Sequence, residues 1–390
     1  MRPTGTMHLG HYHGVLKNWV ELQFEYDCFF FVADWHALTT HYDDPSNIQS
    51  HIREMVIDWL AVGINPASAT VFLQSDIVEH AELHLLLSMI TPLGWLERVP
   101  SYKDQQEKLK ERDLATYGFL GYPLLQSADI LLYNASYVPV GEDQVAHVEM
   151  TREVARRFNH LYGREDGFEK KAVRALKHLG ESNRNSYIAA RKNFQEKGDV
   201  EALEKGRSIV LSSPRLTVAD RDRLFGYLEG TGRTILIEPD ALLTPTPKVP
   251  GLDGQKMSKS YGNTINLRED PEAIDKKIRT MPTDPARVRR TDPGDPEKCP
   301  VWEFHKMYSN AETREWVAQG CRSADIGCVE CKRPVIDAVL KELEPIRERA
   351  RPYEENPDAI KAILNEGRER ARDSARETID DVREVMGLEW

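Results

Sequence analysis

The N-terminal part of the chain alternates between short apolar runs and longer stretches in which apolar residues recur at helical spacing. The apolar runs, which predict buried strands, are residues 28–33, 69–74 and 137–140. The stretches that predict helices are residues 14–26, 48–62, 79–90 and 145–158. Strands that alternate with helices are typical of a parallel sheet with crossover helices, so the pattern predicts an α/β domain.

The rest of the chain follows a helical pattern. Residues 164–239 carry many charged residues and few strong apolar runs, and Thr217 is a typical helix N-cap residue. Near the end, apolar residues from Ile360 to Met386 recur at helical spacing, and Gly387 marks the stop. We therefore predict a helical insertion over residues 164–239 and a helical C-terminal part from residue 263 onward.

The composition is that of an ordinary folded protein, with 390 residues of which 40% are hydrophobic and 29% are charged. This excludes collagen-like, disordered and disulfide-scaffold classes, and the apolar runs are too short for a membrane span. The net charge of −11 disfavours non-specific binding to nucleic acid but allows a local basic patch. Five cysteines and first residues without an apolar export signal favour the cytoplasm.

A glycine-containing turn precedes the first helix, with the sequence Pro3-Thr4-Gly5-Thr6-Met7-His8-Leu9-Gly10-His11. Gly5 and Gly10 allow the backbone to approach a ligand closely, and the helix N-terminus that follows favours phosphate. His8 and His11 can donate hydrogen bonds to phosphate oxygens. The alternative interpretation is a glycine-rich turn whose histidines are incidental.

A second segment, about 245 residues downstream, reads Lys256-Met257-Ser258-Lys259-Ser260 and has glycines on both sides. Such flanking glycines predict a mobile loop. Lys256 and Lys259 can neutralise a triphosphate and stabilise a leaving pyrophosphate, and the alternative is an exposed basic turn. The two motifs together are far more specific than either one alone.

Polar residues in apolar surroundings mark three further candidates. Asp129 lies among leucines and isoleucines, so we expect a buried carboxylate with a donor nearby, either at a ligand site or in a structural ion pair. Residues 141–144 (Gly-Glu-Asp-Gln) follow a strand and open a helix, where ligands bind in α/β sheets, unless they are only a polar cap. His36 also follows a strand and is either a site residue or a core histidine.

Four of the five cysteines are close together in the sequence, with the pattern C-x21-C-x6-C-x2-C at Cys299, Cys321, Cys328 and Cys331. Four thiolates can complete a tetrahedral zinc site or a [4Fe–4S] cluster, and the alternative is a set of free buried thiols. The fifth, Cys28, lies in a phenylalanine-rich strand and is predicted to belong to the core.

Three arginines, Arg287, Arg289 and Arg290, form a short basic run just before the cysteines. A charge run is usually a solvated surface. In a chain of net charge −11, this run could instead contact RNA phosphates.

The two motifs resemble the HIGH and KMSKS signatures of class I aminoacyl-tRNA synthetases. Further segments resemble bacterial tryptophanyl-tRNA synthetases, namely residues 33–37, 126–133, 138–144 and 283–290, together with the C-terminal helices. The resemblance covers roughly residues 1–163 and 240–390. The chain has no Walker loop and no GxGxxG after a strand, which disfavours the other common nucleotide folds.

The resemblance implies a Rossmann-type catalytic domain of residues 1–163 with 240–262, the insertion of residues 164–239, and a helical tRNA-binding domain of residues 263–390 that bears the cysteines. It implies the ligation of L-tryptophan to tRNA(Trp) with ATP and Mg²⁺ by a cytoplasmic homodimer without a membrane partner. A subset of this family carries nearly the same cysteine spacing and binds a [4Fe–4S] cluster, which favours that cluster over Zn²⁺ as the metal group.

The resemblance also implies a role for each matching residue. His8, His11, Lys256 and Lys259 would stabilise the leaving pyrophosphate. The residues that would bind ATP are Arg2, Pro3, Thr4, Gly10, His11, Gly141, Glu142, Asp143, Lys256, Met257, Ser258, Lys259 and Ser260. The residues that would bind the amino acid are Asp129, Tyr122, Gln126, Gln144 and His36, with Asp129 accepting the indole N–H of tryptophan.

One feature departs from the family pattern. In the family a strand precedes the Pro-Thr-Gly turn, whereas here Met1 stands two residues before Pro3, so we expect the first strand to be missing. Either the start is placed late, which we favour, or the chain is impaired. Two alternatives to tryptophan ligation stay open. One is the same reaction with tyrosine, and the other is a non-catalytic, synthetase-like protein that binds tRNA or senses iron.

Overall fold

The computed structural model describes residues 1–99, 116–163, 167–243 and 249–388. The chain divides into two compact units. The first consists of Met1–Asp76 and Thr244–Glu369, and the second of Ile77–Leu243 and Arg370–Trp390. The predicted boundary at residue 164 and part of the predicted segment 240–262 lie outside the described residues.

The helices and strands follow one another in the order of an α/β protein. In the first segment they are α1 (Leu9–His11), a π-helical turn (Tyr12–Leu16), α2 (Lys17–Leu22), β1 (Cys28–Val32), α3 (Asp34–His41), α4 (Ile48–Val62) and β2 (Ala69–Leu73). The second unit contains α5 (Glu79–Ser88), α6 (Leu93–Leu96), α7 (Tyr117–Leu131), β3 (Tyr137–Val140), α8 (Val145–Tyr162), α9 (Phe168–Ala175), α10 (Glu181–Lys197), α11 (Val200–Leu211), α12 (Val218–Glu229) and β4 (Asp240–Leu243). The chain continues with α13 (Pro271–Arg279), α14 (Pro300–Tyr308), α15 (Ala311–Ser323), α16 (Cys328–Glu355) and α17 (Pro357–Met386).

The first unit is built on a parallel pair of strands. Strand β1 pairs with β2 in parallel, in a register that runs from Cys28 opposite Ala69 to Val32 opposite Leu73. Val32 also lies beside the backbone of Met1, which donates to the Phe31 carbonyl (2.7 Å) and accepts from the Ala33 N–H (2.8 Å). The two predicted strands and the parallel α/β class are thus confirmed.

The core of the first unit lies between α4 and α16. The second half of α4 is buried on all sides because apolar residues occupy nearly every position from Met55 to Val62. Trp59 is fully buried at its centre, and Trp19 stacks on Phe30 with ring centroids 4.4 Å apart. Cys28 is half-buried and packs against this core.

The second unit has its own parallel pair, in which Tyr137 of β3 lies opposite Asp240 of β4. Strand β4 was not predicted, because four residues that begin with an aspartate give too short an apolar pattern. The insertion is helical, as predicted, and Thr217 caps α12 by accepting from the Asp220 N–H (3.1 Å). Its helices enclose a core of Ala175, Leu176, Leu179, Tyr187, Val210, Leu216, Leu224 and Leu228.

Helix α17 confirms the predicted periodicity at the end of the chain. The buried residues along it include Ile360, Leu364, Ala371, Ala375, Ile379 and Val382, and Gly387 adopts a positive φ of 73° just after it. Across the residues that the structure describes, no helix combines the length and the apolar character needed to cross a bilayer.

Candidate active site

The two signature motifs meet in the first unit although about 245 residues separate them in the sequence. The segment after the second motif runs antiparallel to the first motif, with His8 opposite Asn266. The Leu9 N–H donates to the Ile265 carbonyl (3.0 Å), and the Leu267 N–H donates to the Met7 carbonyl (2.9 Å). Backbone hydrogen bonds therefore fix the position of one motif relative to the other.

His8 and His11 are arranged as neutral hydrogen-bond donors. Nδ1 of His8 accepts from the Gly10 N–H (3.1 Å), and Nδ1 of His11 accepts from the His8 N–H (3.3 Å). Burial, together with the charge of Lys259, lowers the pKa of His8 to about 3 and that of His11 to about 4. Both rings are therefore neutral at pH 7 and carry their proton on Nε2, where it can be donated to an anion.

Gly10 is required for space rather than for its backbone conformation. A Cβ atom at this position would lie 2.8 Å from Cε1 of His8, so any side chain would displace the imidazole. Gly5, by contrast, adopts a φ of 86°, which an L-residue with a side chain rarely adopts. The two glycines thus shape the turn for different physical reasons.

Lys259 extends from the second motif to the turn that precedes the first. Its Nζ donates to the Thr4 carbonyl (2.6 Å). Burial lowers the pKa of Lys259, while the carboxylate of Asp58 opposes the shift. Beside this contact lies an open cavity of about 400 Å³, lined by Thr4, Gly5, Thr6, His51, Glu54, Lys259, Thr264 and Asn266. Of the predicted ATP-binding residues around it, Pro3 is buried, and Arg2 and Thr4 are exposed.

The loop of the second motif is a small hairpin with Asn263 at its base. Met257 is buried and its N–H donates to the Val249 carbonyl (3.0 Å), whereas Lys256 and Ser260 are exposed. Asn263 accepts from the Ser258 N–H (2.7 Å) and donates to Asp253 (2.7 Å). The side chain of Lys256 is therefore presented to solvent by a loop whose backbone is held from inside.

Asp58 and Arg268 hold both motifs in place, and sequence reasoning missed both residues. Oδ2 of Asp58, which is fully buried, accepts from the Met7 N–H (2.6 Å), and Oδ1 accepts from Nε of Arg268 (2.6 Å). The other guanidinium nitrogens of Arg268 bind Glu54 and Glu354. A helix α4 carboxylate in an otherwise apolar stretch was the one signal that could have revealed this pair.

His36 is buried on α3, directly after β1, as predicted for a residue at the carboxyl end of a strand. Asp34, which begins the same helix, accepts from the Ser75 hydroxyl (2.5 Å) and N–H (3.1 Å). This pairing joins the carboxyl ends of β1 and β2, the edge at which ligands bind in open α/β sheets.

In the second unit, Asp129 is buried on α7 and has the hydrogen-bond partner that its burial predicted. Its Oδ1 lies 2.7 Å from Nδ1 of His80, which is itself fully buried. Nε2 of His80 lies 2.7 Å from the hydroxyl of Tyr133. His80 and Tyr133 thus fix the carboxylate of Asp129, and sequence reasoning missed His80.

The other predicted amino-acid-binding residues of the second unit lie on α7 and at the start of α8. Tyr122 is buried, with its ring centroid 5.8 Å from that of His147, and Gln126 is half-buried one turn further along α7. Gly141 follows β3 and caps the 3₁₀ turn Glu142–Gln144, whose two carboxylates are exposed. The side chain of Gln144 donates to Asp143 (3.0 Å).

The four clustered cysteines lie in one part of the first unit. Burial, together with the nearby charge of the other three thiolates, raises the pKa of Cys331 to about 12. Nε2 of His305 lies 3.4 Å from the Cys331 sulfur. Even so, the described residues contain no group of three or more His, Cys, Asp or Glu side chains arranged to hold a metal ion.

Arg287 does not belong to a solvated basic run. It is buried, its guanidinium donates to the Arg290 carbonyl (3.1 Å), and it lies 3.8 Å from the sulfur of Cys321. Of the three arginines, only Arg289 and Arg290 are exposed. The prediction that Arg287 contacts RNA phosphates is therefore wrong.

Comparison with known proteins agrees with this geometry. The sequence family described as class I tRNA synthetases (W and Y) matches residues 1–189 and 223–344. The tryptophan–tRNA ligase of Ralstonia nicotianae is 65% identical over 390 residues, which cover 100% of this chain and 98% of the relative. The corresponding ligase of Thermotoga maritima is 43% identical over 390 residues, with 100% and 98% covered.

A solved structure shares the fold over its whole length. Tryptophanyl-tRNA synthetase from Campylobacter jejuni, complexed with ADP and tryptophan, superposes with a TM-score of 0.74 at 28% identity, covering 100% of this chain and 98% of the other. The resemblance predicted from the two motifs is therefore confirmed. The chain belongs to the class I aminoacyl-tRNA synthetases and, within them, to the tryptophan–tRNA ligases.

Proposed function

We propose that this chain activates L-tryptophan with ATP and transfers it to tRNA(Trp). In the first step a carboxylate oxygen of tryptophan attacks the α-phosphorus of ATP, and the bond to the β-phosphate breaks to release pyrophosphate. In the second step a ribose hydroxyl at the 3′ end of the tRNA attacks the activated carbonyl, and AMP leaves. No side chain acts as a nucleophile, so catalysis consists of positioning and charge stabilisation.

The observation that carries this proposal is the convergence of Lys259 with the turn of the first motif and its two neutral histidines. Nε2–H of His8 and His11 donates to phosphate oxygens as charge develops, and the ammonium of Lys259 exchanges the Thr4 carbonyl for a phosphate oxygen. Lys256, on the same loop, neutralises the leaving pyrophosphate. Backbone groups of Gly10, Met257 and Ser258 complete the ATP site.

Asp129 is the specificity residue of the proposed reaction. Its buried carboxylate accepts the indole N–H of tryptophan, and His80 holds that carboxylate in place. A site built to hydrogen-bond one ligand group rejects analogues that lack it by roughly 10⁴–10⁵. Phenylalanine has no such donor and tyrosine places its donor elsewhere. Tyr122 and Gln144 hold the amino and carboxyl ends of the amino acid, Gln126 lines the indole pocket, and His36 contacts the substrate.

ATP–pyrophosphate exchange with tryptophan, tyrosine and phenylalanine tests the proposal. We expect exchange with tryptophan alone, and Lys259→Ala to lower its rate by roughly 10²–10³. Lys298→Ala, at an exposed lysine of the same unit, is the matched control and should leave the rate unchanged. Exchange with tyrosine would show that the amino-acid pocket is misassigned, and no exchange with any amino acid would favour a non-catalytic protein that binds tRNA or senses iron.

The exposed carboxylates of Glu142 and Asp143 support a role in binding ATP. We assign the Gly141–Asp143 segment to the ribose of ATP and its carboxylates to Mg²⁺, a cation that prefers oxygen ligands. Titration of the exchange rate with Mg²⁺ in an Asp143→Asn variant checks this role. A higher Mg²⁺ requirement is expected, and an unchanged one would contradict it.

Cys299, Cys321, Cys328 and Cys331 would hold a [4Fe–4S] cluster, or Zn²⁺ as the alternative. Four thiolates are the donor set of both groups, and the effect of the other three thiols on the pKa of Cys331 supports their proximity. The group would supply structural stability by cross-linking three segments of the first unit. Iron, sulfide and zinc analysis of anaerobically purified protein distinguishes the options. Cys331→Ser should abolish loading, whereas Cys28→Ser, outside the cluster, should not.

The remaining assignments concern the domains and the assembly of the protein. Residues 1–163 with 240–262 form the catalytic domain, and residues 263–390 bind tRNA. The protein works as a homodimer in the cytoplasm. Light scattering coupled to size exclusion measures the assembly, and the mass of a single chain would contradict the dimer.

A further inference from the structure

The helical insertion is a separate module within the second unit. It leaves and rejoins the rest of the unit at adjacent points, because the Arg233 N–H donates to the Gly163 carbonyl (2.6 Å). It has its own buried core around Tyr187 and Leu224. The family match passes over residues 190–222. The matched residues include α9 and most of α10, so only the end of α10, α11 and the start of α12 lie outside the shared sequence family.

The charge of the insertion is unlike that of the chain. Residues 167–197 contain eight Lys or Arg and three Asp or Glu, within a chain of net charge −11. Residues 199–238 contain six Lys or Arg and seven Asp or Glu. The positive charge is thus concentrated on α9, on the 3₁₀ turn Leu176–Leu179 that extends it, and on α10.

Helix α9 turns its cations away from the core. It buries Phe168, Ala172 and Ala175 on one side. Lys170 and Arg174 are one helical turn apart on the opposite side, and both are exposed, as is Lys177 in the 3₁₀ turn.

Helix α10 repeats the arrangement. It buries Tyr187 and Ala190 and exposes Arg184, Ile188 and Lys192. We call Lys170, Arg174, Lys177, Arg184 and Lys192 together the basic face.

The cations of the basic face differ from three other arginines of the insertion, which bind carboxylates. Within the described ranges, none of the five takes part in an ion pair or a side-chain hydrogen bond. Arg207 binds Glu229 (2.8 Å), Arg223 binds Asp220 (2.9 Å) and Arg233 binds Asp381 (2.7 Å). Glu229 of α12 and Asp220 of α12 are thus used within the module, whereas the five cations of the basic face are available to a ligand.

We propose that the basic face binds the phosphate backbone of the tRNA that this chain aminoacylates. The inference rests on the proposed function, which supplies the polyanion. A protein partner fits less well, because protein interfaces are centred on large apolar and aromatic anchors. Among the exposed large apolar residues, α9 and α10 contribute only Val173 and Ile188, and no aromatic side chain. Contacts to phosphate carry no sequence information, so the basic face adds affinity rather than specificity.

The test compares two double variants that remove equal charge from the same module. Arg174→Ala with Lys177→Ala removes two cations of the basic face that are about one helical turn apart. Lys205→Ala with Arg215→Ala removes two exposed cations outside it, on α11 and in the loop after α11. Alanine is tolerated in helices, so both variants should fold.

We expect the basic-face variant to weaken binding of tRNA(Trp) by about tenfold and to lower the salt dependence of log Kd by about one to two. ATP–pyrophosphate exchange with tryptophan should stay at the parent rate, and the ratio of cognate to non-cognate tRNA affinity should not change. The control variant should match the parent in every measurement.

Four results would overturn parts of this account separately. Loss of tryptophan-dependent exchange in the parent chain refutes the proposed function, whereas normal exchange with unchanged tRNA affinity in the basic-face variant refutes the RNA contact alone. If the parent binds polyglutamate and the basic-face variant does not, while the variant still charges tRNA normally, the basic face binds an acidic protein surface instead of tRNA. An equal loss of tRNA affinity in both double variants would show a general charge effect and no defined face.

Discussion

Arg268 lies in the signature-motif region, by which we mean the two motifs and the residues of the first unit that pack against them, and Arg207 lies in the insertion. Each of the two arginines binds more than one carboxylate, but the Arg268 side chain is much less exposed than that of Arg207. The Arg268 side chain is 10% exposed and binds Asp58, which is 1% exposed. The Arg207 side chain is 42% exposed and binds Glu204 and Glu229 at the surface. A buried, closed network fixes backbone positions, here the Met7 N–H of the first motif. An exposed network contributes little stability.

The largest expected effect is the difference in stability between the Arg268→Met variant and the Arg207→Met variant. Arg268→Met leaves the buried carboxylate of Asp58 without its counter-charge, so we expect a loss of about 3–5 kcal/mol in the free energy of unfolding. Arg207→Met should cost about 0–1 kcal/mol, because its partners stay solvated. Urea unfolding of both variants measures the difference.

The variants Arg268→Met and Arg207→Met should also differ in their catalytic activity. Because Asp58 positions the Met7 N–H and Arg268 follows the second motif, Arg268→Met should also slow ATP–pyrophosphate exchange at temperatures where the variant is folded. Arg207→Met should retain the parent rate. Equal destabilisation by the two substitutions would remove the contrast between the regions.

A second anchor of the signature-motif region is Glu342 on α16. It accepts from the Tyr308 hydroxyl (2.8 Å), binds Lys17 (2.9 Å) and lies 3.0 Å from Nε2 of His13, in the turn that follows the first motif. Burial alone would raise the pKa of Glu342, but these hydrogen bonds and the charge of His13 outweigh it and lower the pKa to about 2. The carboxylate is therefore far more stable as an anion in the folded protein than in the unfolded chain.

This shift predicts how stability depends on pH. The folded-state pKa lies below the unfolded value of 4.5, so Glu342 contributes its full stabilisation above pH 4.5 and loses it as pH falls towards about 2. Glu342→Gln should lower the free energy of unfolding by about 2–3 kcal/mol at pH 7. The difference in this free energy between the variant and the parent should become smaller between pH 4.5 and pH 2. Unfolding by urea at several pH values measures it. Glu344→Gln, at an exposed residue of the same helix, should have the same free energy of unfolding as the parent at every pH.

The sequence predicted what depends on local pattern and missed what depends on distant partners. Strands β1 and β2, the ends of α4 and the cap at Thr217 follow from apolar spacing and capping chemistry within a few residues. The burial of Asp129 followed from its neighbours in the sequence. Its partner His80 did not, because a pairing across 49 residues leaves no local trace. Arg287 was misread for the same reason, since a basic run looks solvated until the fold buries one member.

The smallest expected effect tests whether the insertion is stabilised on its own. Tyr187, fully buried at its core, donates its hydroxyl to the Leu224 carbonyl and so joins α10 to α12. Tyr187→Phe keeps the ring and removes one hydrogen bond, which should cost about 1 kcal/mol. Hydrogen exchange should show faster opening of α10 and α12, while the amides of α4 and the rate of ATP–pyrophosphate exchange stay unchanged. Faster exchange in α4 would mean that the insertion and the signature-motif region unfold together. In that case the catalytic region and the RNA-binding insertion would still differ in their charge, but they would not differ in their stability.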